Sequence, residues 1–342
     1  LETQQQTSSS GFSELIRALG PFTSISKKRF WGELIACALL AWGGLFLASF
    51  SDAVFGQTVG FILATLFLYR GSAFIHEVVH VQKRLPGFRM AFDILFGFAN
   101  CYPSYIYDPH FFHHQTKTYG TLSDPEYAPI AQRSPLKIVL GPLVLSFILP
   151  IFQMGRFVLL PLFYVLIPKS KKEFIFKRYS TLVFNGEYRR NGPSAKELKE
   201  MVRSDLLCAS YRLTAITLMV MNILPWRFGI LWYFAFIIGS AMNMYRALIN
   251  HDYSKPFGVR SREEQFNQSN TLQPHFLNEI WAPLALGYHS LHHLSPSIPY
   301  YQLPRAHRHI MQNPRLKAIY EKTLRKGAGE IVGSLLLAGR NF

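Results

Sequence analysis

The sequence predicts an all-α integral membrane protein. Four transmembrane helices, arranged as two hairpins, carry a cytoplasmic helical cap that holds a histidine-rich metal site. Three observations lead there. Apolar runs recur at about the twenty residues that a spanning helix needs. Charged residues make up 16% of the 342-residue chain and hydrophobic ones 49%, where soluble domains carry about 25% charge. Eight of the twelve histidines fall in three short stretches at or beyond the ends of those runs: His76-Glu-Val-Val-His80, His110-Phe-Phe-His113-His114 and His289-Ser-Leu-His292-His293.

Residues 1–32 read as a polar cytoplasmic segment that turns basic at Lys27, Lys28 and Arg29. The stretch 1–26 lacks the charged-then-apolar layout of a cleavable signal peptide. A membrane domain over 33–310 follows. Its first span covers about 33–50 and its second 54–75. Ser51-Asp52-Ala53 joins them without Lys or Arg, which predicts a tight hairpin. His76 and His80 come where the second helix leaves the apolar layer. The aromatic-rich stretch 88–103, with Asp93 and Asn100, reads as an interfacial helix or loop along the membrane. Thr121 to Glu126 reads as a loop from its Ser and Pro.

Residues 136–168 are strongly apolar but interrupted by Pro142, Pro150 and Pro161, and they carry Gln153 and Arg156. They predict an in-plane or re-entrant hairpin. Two further spans, 206–224 and 228–249, flank Pro225-Trp226-Arg227, and His251 lies just past the second. An amphipathic tail over 311–342 closes the chain. Cys37, Cys101 and Cys208 are scattered and form no metal or disulfide framework; they read as small buried hydrophobes.

Parity and charge set the expected topology. Residues 169–204 hold ten Lys or Arg against four Glu, which places that loop in the cytoplasm. For all three histidine stretches to lie on one side, an even number of spans must separate residues 114 and 289; the 206–249 hairpin supplies two. Both termini and every histidine stretch then face the cytoplasm, at a bacterial inner membrane or, in a eukaryote, the endoplasmic reticulum. The formal charge is +16. Its basic residues flank apolar runs without a nucleic-acid motif, which speaks against nucleic acid and for anionic headgroups or an acidic protein.

On a helix, positions i, i+3 and i+4 share a face. The first histidine stretch therefore presents two imidazoles together and each of the others three. Imidazole suits iron, zinc or copper, and eight such ligands are too many for one ion and right for two. His275, His307 and His309 stand alone and read as structural. His251 is single but ends a span on the correct side. Metal-bound imidazole commonly donates its other N–H to a carboxylate or carbonyl; Glu77, Asp108, Asp124, Glu126 and Asp252 are candidates for that role.

Other metal chemistries fit less well. His76 to His80 also matches HExxH, in which two histidines bind zinc and the Glu activates water. A membrane zinc peptidase would leave most of the other six clustered histidines without a use. A carboxylate-bridged bundle needs paired Glu-x-x-His motifs, and only Glu77-Val-Val-His80 has that form. A metal transporter would need polar residues lining its spans, and these spans lack them.

The order HxxxH, HxxHH, HxxHH, with two spans before the first stretch and a hairpin before the third, resembles the membrane fatty acid desaturase family over roughly residues 34–310. Asp124-Pro125-Glu126 after the second stretch, and Pro296, Pro299 and Pro304 after the third, are similar to the family's corresponding segments. The resemblance implies two iron ions as cofactors and O2 as co-substrate. It implies as ligands His76, His80, His110, His113, His114, His289, His292 and His293, and adds His251 just after the last span. Some members have an Asn one turn before that last histidine; here Ala247 stands there, and Asn250 is the adjacent candidate.

The implied reaction uses O2 and two electrons to take hydrogen from an unactivated C–H bond of a fatty acid or acyl lipid. Loss of a second hydrogen gives desaturation, the simplest expectation; hydroxylation, or oxidative decarboxylation to a terminal alkene, is the alternative on the same site. A narrow apolar channel must hold one methylene in place, with Tyr102, Tyr105, Tyr107, Phe111 and Phe112 as candidate walls. Recognition of a free acid would need a basic residue such as Arg70, Lys83, Arg84 or Arg246. The chain shows no haem, iron–sulfur or flavin motif, so a separate donor, ferredoxin-like or cytochrome b5-like, is expected. The basic stretch 169–203 offers such an acidic protein a face.

Overall fold

The computed structural model describes residues 11–338, so the outermost parts of the predicted N-terminal segment and C-terminal tail, 1–10 and 339–342, lie outside the described residues. The chain is mostly helical and divides into two compact units. The first comprises residues 11–26, 112–139 and 245–338, the second residues 27–111 and 140–244. Among the described residues four helices are long and apolar enough to cross a membrane: Lys27–Phe50 (α1), Val54–Val81 (α2), Pro135–Phe163 (α3) and Trp226–Leu248.

The second unit is built on the α1–α2 hairpin. Both helices are apolar on most faces, and they meet at small residues: Gly44 and Ala48 on α1, Gly60 and Ala64 on α2. A Cβ on Gly60 would lie 2.6 Å from the Ala48 nitrogen and the Gly44 oxygen, and one on Gly44 would lie 2.8 Å from the Ala64 nitrogen. Small residues four apart allow this approach, which replaces the hydrophobic drive that lipid removes. Glu33 pairs with Arg29 at 2.8 Å and with Arg70 of α2 at 3.1 Å. Arg70 is therefore neutralised rather than available for a substrate carboxylate.

Residues 88–103 bury one side and leave Met90 and Ile94 exposed on the other. Phe88, Phe92 and Phe96 are fully buried, and the Phe96 ring fills the space that a side chain at Gly71 would take. The polar residues that suggested exposure are buried and take partners inside. Asp93 accepts the Ser104 N–H at 2.7 Å and its hydroxyl at 2.9 Å, and Asn100 accepts the Trp232 indole N–H at 2.9 Å.

The stretch expected as a broken hairpin is one continuous helix. It is α-helical from Pro135 to Met154 through Pro142 and Pro150, widens to a π-helix over Gly155–Leu159 and tightens to a 3-10 helix over Leu160–Phe163. Each interior proline removes one backbone donor, a loss that helices in lipid tolerate. Leu140, Val144, Leu145, Ile148 and Ile151 are exposed along it, an apolar face suited to lipid.

Arg156 is buried on the same helix and saturated: it donates to Asp205 at 2.8 Å, Tyr164 at 3.0 Å, Ser180 at 2.8 Å, Tyr105 at 3.2 Å and the Tyr179 carbonyl at 3.1 Å. The span expected at 206–224 belongs to a longer helix, Ala195–Val220 (α4), which starts at a reciprocal Ser194–Glu197 cap. Arg203, Asp205 and Arg212 keep α4 out of the set apolar enough to cross, while Trp226–Leu248 (α5) belongs to it.

The first unit is a set of short helices and loops. Phe12 packs on Phe266 with ring centroids 5.7 Å apart. A parallel two-residue pairing joins Thr271–Leu272 (β1) to Leu324–Arg325 (β2). Residues assigned by sequence to the amphipathic tail are part of this unit. Tyr320 and Thr323 are fully buried, and Thr323 Oγ1 lies 2.9 Å from Ser290 Oγ.

Candidate metal centre

In the second unit α2 carries His76 and His80 one turn apart, and His110 opens the short helix His110–His113. The three rings converge, with centroids 5.1 Å apart for His76–His80, 4.8 Å for His76–His110 and 5.1 Å for His80–His110. Glu77 Oε1 is 3.3 Å from His76 Nδ1. Tyr107 stacks on His110, 4.7 Å between centroids and 12° between planes.

The first unit holds a four-histidine cluster. His113, His251, His289 and His293 are all buried, with one ring nitrogen from each within 4.8 Å of the others. His113 Nε2 and His289 Nε2 each lie 2.9 Å from His251 Nε2. His113 comes from the end of its short helix, His289 and His293 from one face of the helix His289–Leu294 (α6), and His251 from just past α5. His114 and His292 lie beside them in the same unit, their Nε2 atoms 3.1 Å apart.

Hydrogen bonds assign the tautomers. Asp124, fully buried, accepts from His113 Nδ1 at 2.8 and 3.0 Å. Its oxygens also accept the N–H groups of Gly120 at 2.9 Å, Glu126 at 2.8 Å and Tyr127 at 3.2 Å, which folds the loop around it. The Ser269 hydroxyl donates to the Gln265 carbonyl at 2.7 Å, so at 3.2 Å its oxygen is placed to accept the N–H of His251 Nδ1. The Nε2 atoms of His113 and His251 thus face each other across 2.9 Å. A shared proton or a cation between them accounts for that separation. Two imidazoles bound side by side on one ion at about 2.1 Å hold their nitrogens about 3 Å apart. The donor set fits a metal ion, and an all-imidazole set suits iron, zinc or copper.

At His251 the electrostatics agree. Burial pushes the His251 imidazole well below its ordinary value, helped by neighbouring His113, so it is neutral as a ligand must be. At His113 burial also acts downward, but the charge and hydrogen bond of Asp124 outweigh it and the net shift is upward. Tyr119, whose hydroxyl is 3.1 Å from His251 Nδ1, is held as a phenol because burial raises it well above its ordinary value.

The remaining candidates go elsewhere. Asp108 accepts from Arg89 at 2.5 and 3.2 Å and lies 4.0 Å from Arg190. Asp252 accepts the Ser254 N–H at 3.0 Å, and the Asn250 amide oxygen accepts from Arg246 at 3.3 Å. Glu126 meets Asp124 through its backbone. Tyr102 bonds the Ser72 hydroxyl, Tyr105 bonds Asp205, and Phe111 is exposed, so these three do not read as channel walls. His307 bonds the Tyr320 hydroxyl at 2.9 Å. Sequence reading passed over Tyr119 and Ser269. Ser269 reaches His251 through an antiparallel backbone bridge, a pairing across eighteen residues that no local pattern signals.

Comparison with known proteins adds to this geometry. The family model described as fatty acid desaturase matches residues 53–323. A ceramide hydroxylase of Caulobacter vibrioides (strain NA1000 / CB15N) is 30% identical over 310 residues, which covers 90% of this chain and 87% of that protein. No solved structure is similar at a significant level.

Proposed function

We propose that this chain, which belongs to the fatty acid desaturase family, is an oxidoreductase whose nine clustered histidines hold two iron ions and which oxidises an unactivated C–H bond of an acyl lipid with O2. The observation that carries this reading is the buried cluster of His113, His251, His289 and His293, with nitrogens 2.9 Å apart and tautomers fixed from behind. Bound iron would supply activation of O2 and the electron steps that break the C–H bond. The protein's part is preparation. Asp124 and Ser269 stand behind the Nδ1 atoms of His113 and His251, and burial favours the neutral imidazole at His251.

Similarity to a ceramide hydroxylase across nine-tenths of the chain favours hydroxylation, on an amide-linked acyl lipid such as a ceramide. The second reading is desaturation, supported by the family match. Electrons come from a separate acidic donor protein, with the basic stretch 169–203 as its docking face.

The topology we infer keeps both termini and the histidines on the cytoplasmic side. Arg190, within that basic stretch, donates to the Tyr105 carbonyl at 3.1 Å and approaches Asp108, two residues before His110. These contacts support placing residues 169–203 on the same side as His110. α3 then lies in the membrane plane, and α4 crosses with α5, its Asp205 paired with Arg156 and its Arg212 donating to the Ala99 carbonyl.

The test is lipid analysis by mass spectrometry after expression with a competent electron donor, under isotopically labelled O2. Hydroxylation predicts a lipid that gains one labelled oxygen atom. Loss of two hydrogens without oxygen assigns desaturation. Lipids unchanged in the presence of a working donor would refute both.

A further inference from the structure

The turn that delivers His110 is held by more buried charge than a connecting loop needs. Ser104–Tyr107 is a single 3-10 turn, and it is gripped along its length. Asp93 takes the backbone N–H and hydroxyl of Ser104. Arg190 donates to the carbonyl of Tyr105 at 3.1 Å. The Leu182 N–H donates to the carbonyl of Ile106 at 3.0 Å. Arg89 holds the carboxylate of Asp108.

At the centre is Tyr105. Its hydroxyl donates to Asp205 Oδ1 at 2.7 Å and accepts from Arg156 Nη2 at 3.2 Å. Asp205 Oδ2 takes Arg156 Nη1 at 2.8 Å and the Tyr164 hydroxyl at 2.5 Å. Arg156 is 4% exposed and Asp205 0%, so the pair is fully desolvated. Such a pair adds little net stability, because apolar residues of similar volume often do as well or better. It does fix geometry: a planar guanidinium and a carboxylate with every bond made admit one arrangement. Two residues past Tyr105, the Tyr107 ring lies parallel on His110.

We propose that the Arg156–Asp205 pair is a positioning device for His110, acting through the Tyr105 hydroxyl to set the turn that brings this imidazole to His76 and His80. The inference rests on the metal reading above. It assigns these buried charges, which sequence alone reads as interruptions of apolar runs, to the ion that His110 helps to bind. The cluster around His251 has its own supports, Asp124 and Ser269, and does not depend on them.

The experiment is a metal titration of detergent-purified protein, with thermal unfolding measured on the same samples. Tyr105→Phe keeps the ring and removes the link. The double variant Arg156→Met with Asp205→Leu removes the pair while keeping apolar volume. The wild type is read first: if it binds no metal, the metal reading fails and this inference with it. If it binds two ions, both variants should bind one of them about tenfold more weakly, the usual effect of losing an outer support. The other ion should keep its wild-type affinity, and the double variant its wild-type melting temperature. Two ions bound as in the wild type would overturn the proposal. So would a parallel weakening of both ions that tracks a lower melting temperature, since that marks a merely structural pair.

Discussion

Replacing Asp124 by Asn leaves the shape and removes the charge behind His113. The carboxylate receives four donors: His113 Nδ1, and the N–H groups of Gly120, Glu126 and Tyr127. An amide has one oxygen. Placed where Oδ1 now takes three of these donors, it turns its NH2 toward the Gly120 N–H, and a buried donor is left facing a donor. That orphaned group costs about 1–3 kcal/mol, and the charge-assisted bond to His113 loses about 1 kcal/mol. The sum is about 3 kcal/mol of stability. The metal cost is separate: losing the carboxylate behind a ligating histidine weakens binding about ten- to a hundredfold. Thermal unfolding of the metal-free protein reads the first and a competitive metal titration the second. Asp124→Asn with wild-type melting temperature and wild-type metal affinity would refute the reasoning.

Two further outcomes follow from the same structure. Gly60→Ala drives a Cβ to 2.6 Å from α1 backbone, so the hairpin must part and the melting temperature should fall by several degrees. Gly43→Ala, which meets nothing within 4 Å, is the control and should not fall; equal melting temperatures for the two would contradict the packing. Burial holds the Asp93 carboxyl up at about 6, against the hydrogen bonds from Ser104 that favour its charged form. Because the folded value is raised from 3.8, its stabilising contribution is complete below that value and is lost as pH rises through about 6. The wild type should lose about 3 kcal/mol over this window that Asp93→Asn does not lose. Parallel pH–stability profiles would show that Asp93 is not the group responsible.

Much of the candidate site was legible because its histidines come in helical spacing. His76 and His80 need only α2 to be a helix, and the HxxHH stretches need only one turn each. The α1–α2 hairpin was legible from its apolar length and a linker without Lys or Arg. What was not legible depends on partners far along the chain. Arg156 looked like a reason for residues 136–168 to break, but its counter-charge, Asp205, lies 49 residues on, and a paired arginine does not end a helix. Asp93 and Asn100 looked interfacial because Ser104 and Trp232, which satisfy them, carry no signal of that role in the sequence. The tail seemed separate because Thr323 meets Ser290, and β2 meets β1, across long stretches of chain. Local periodicity shows where a helix is; it does not show which polar group in it has a partner.

The most direct test of the central claim is the metal content of protein purified from iron-replete cells, wild type beside His251→Ala. Iron bound by the clustered histidines predicts about two irons per chain in the wild type and about one in the variant, because His251 Nε2 sits between two other ligands of the same cluster. One zinc per chain, unchanged by His251→Ala, would contradict it and point to the His76–Glu77–His80 motif as a zinc site instead.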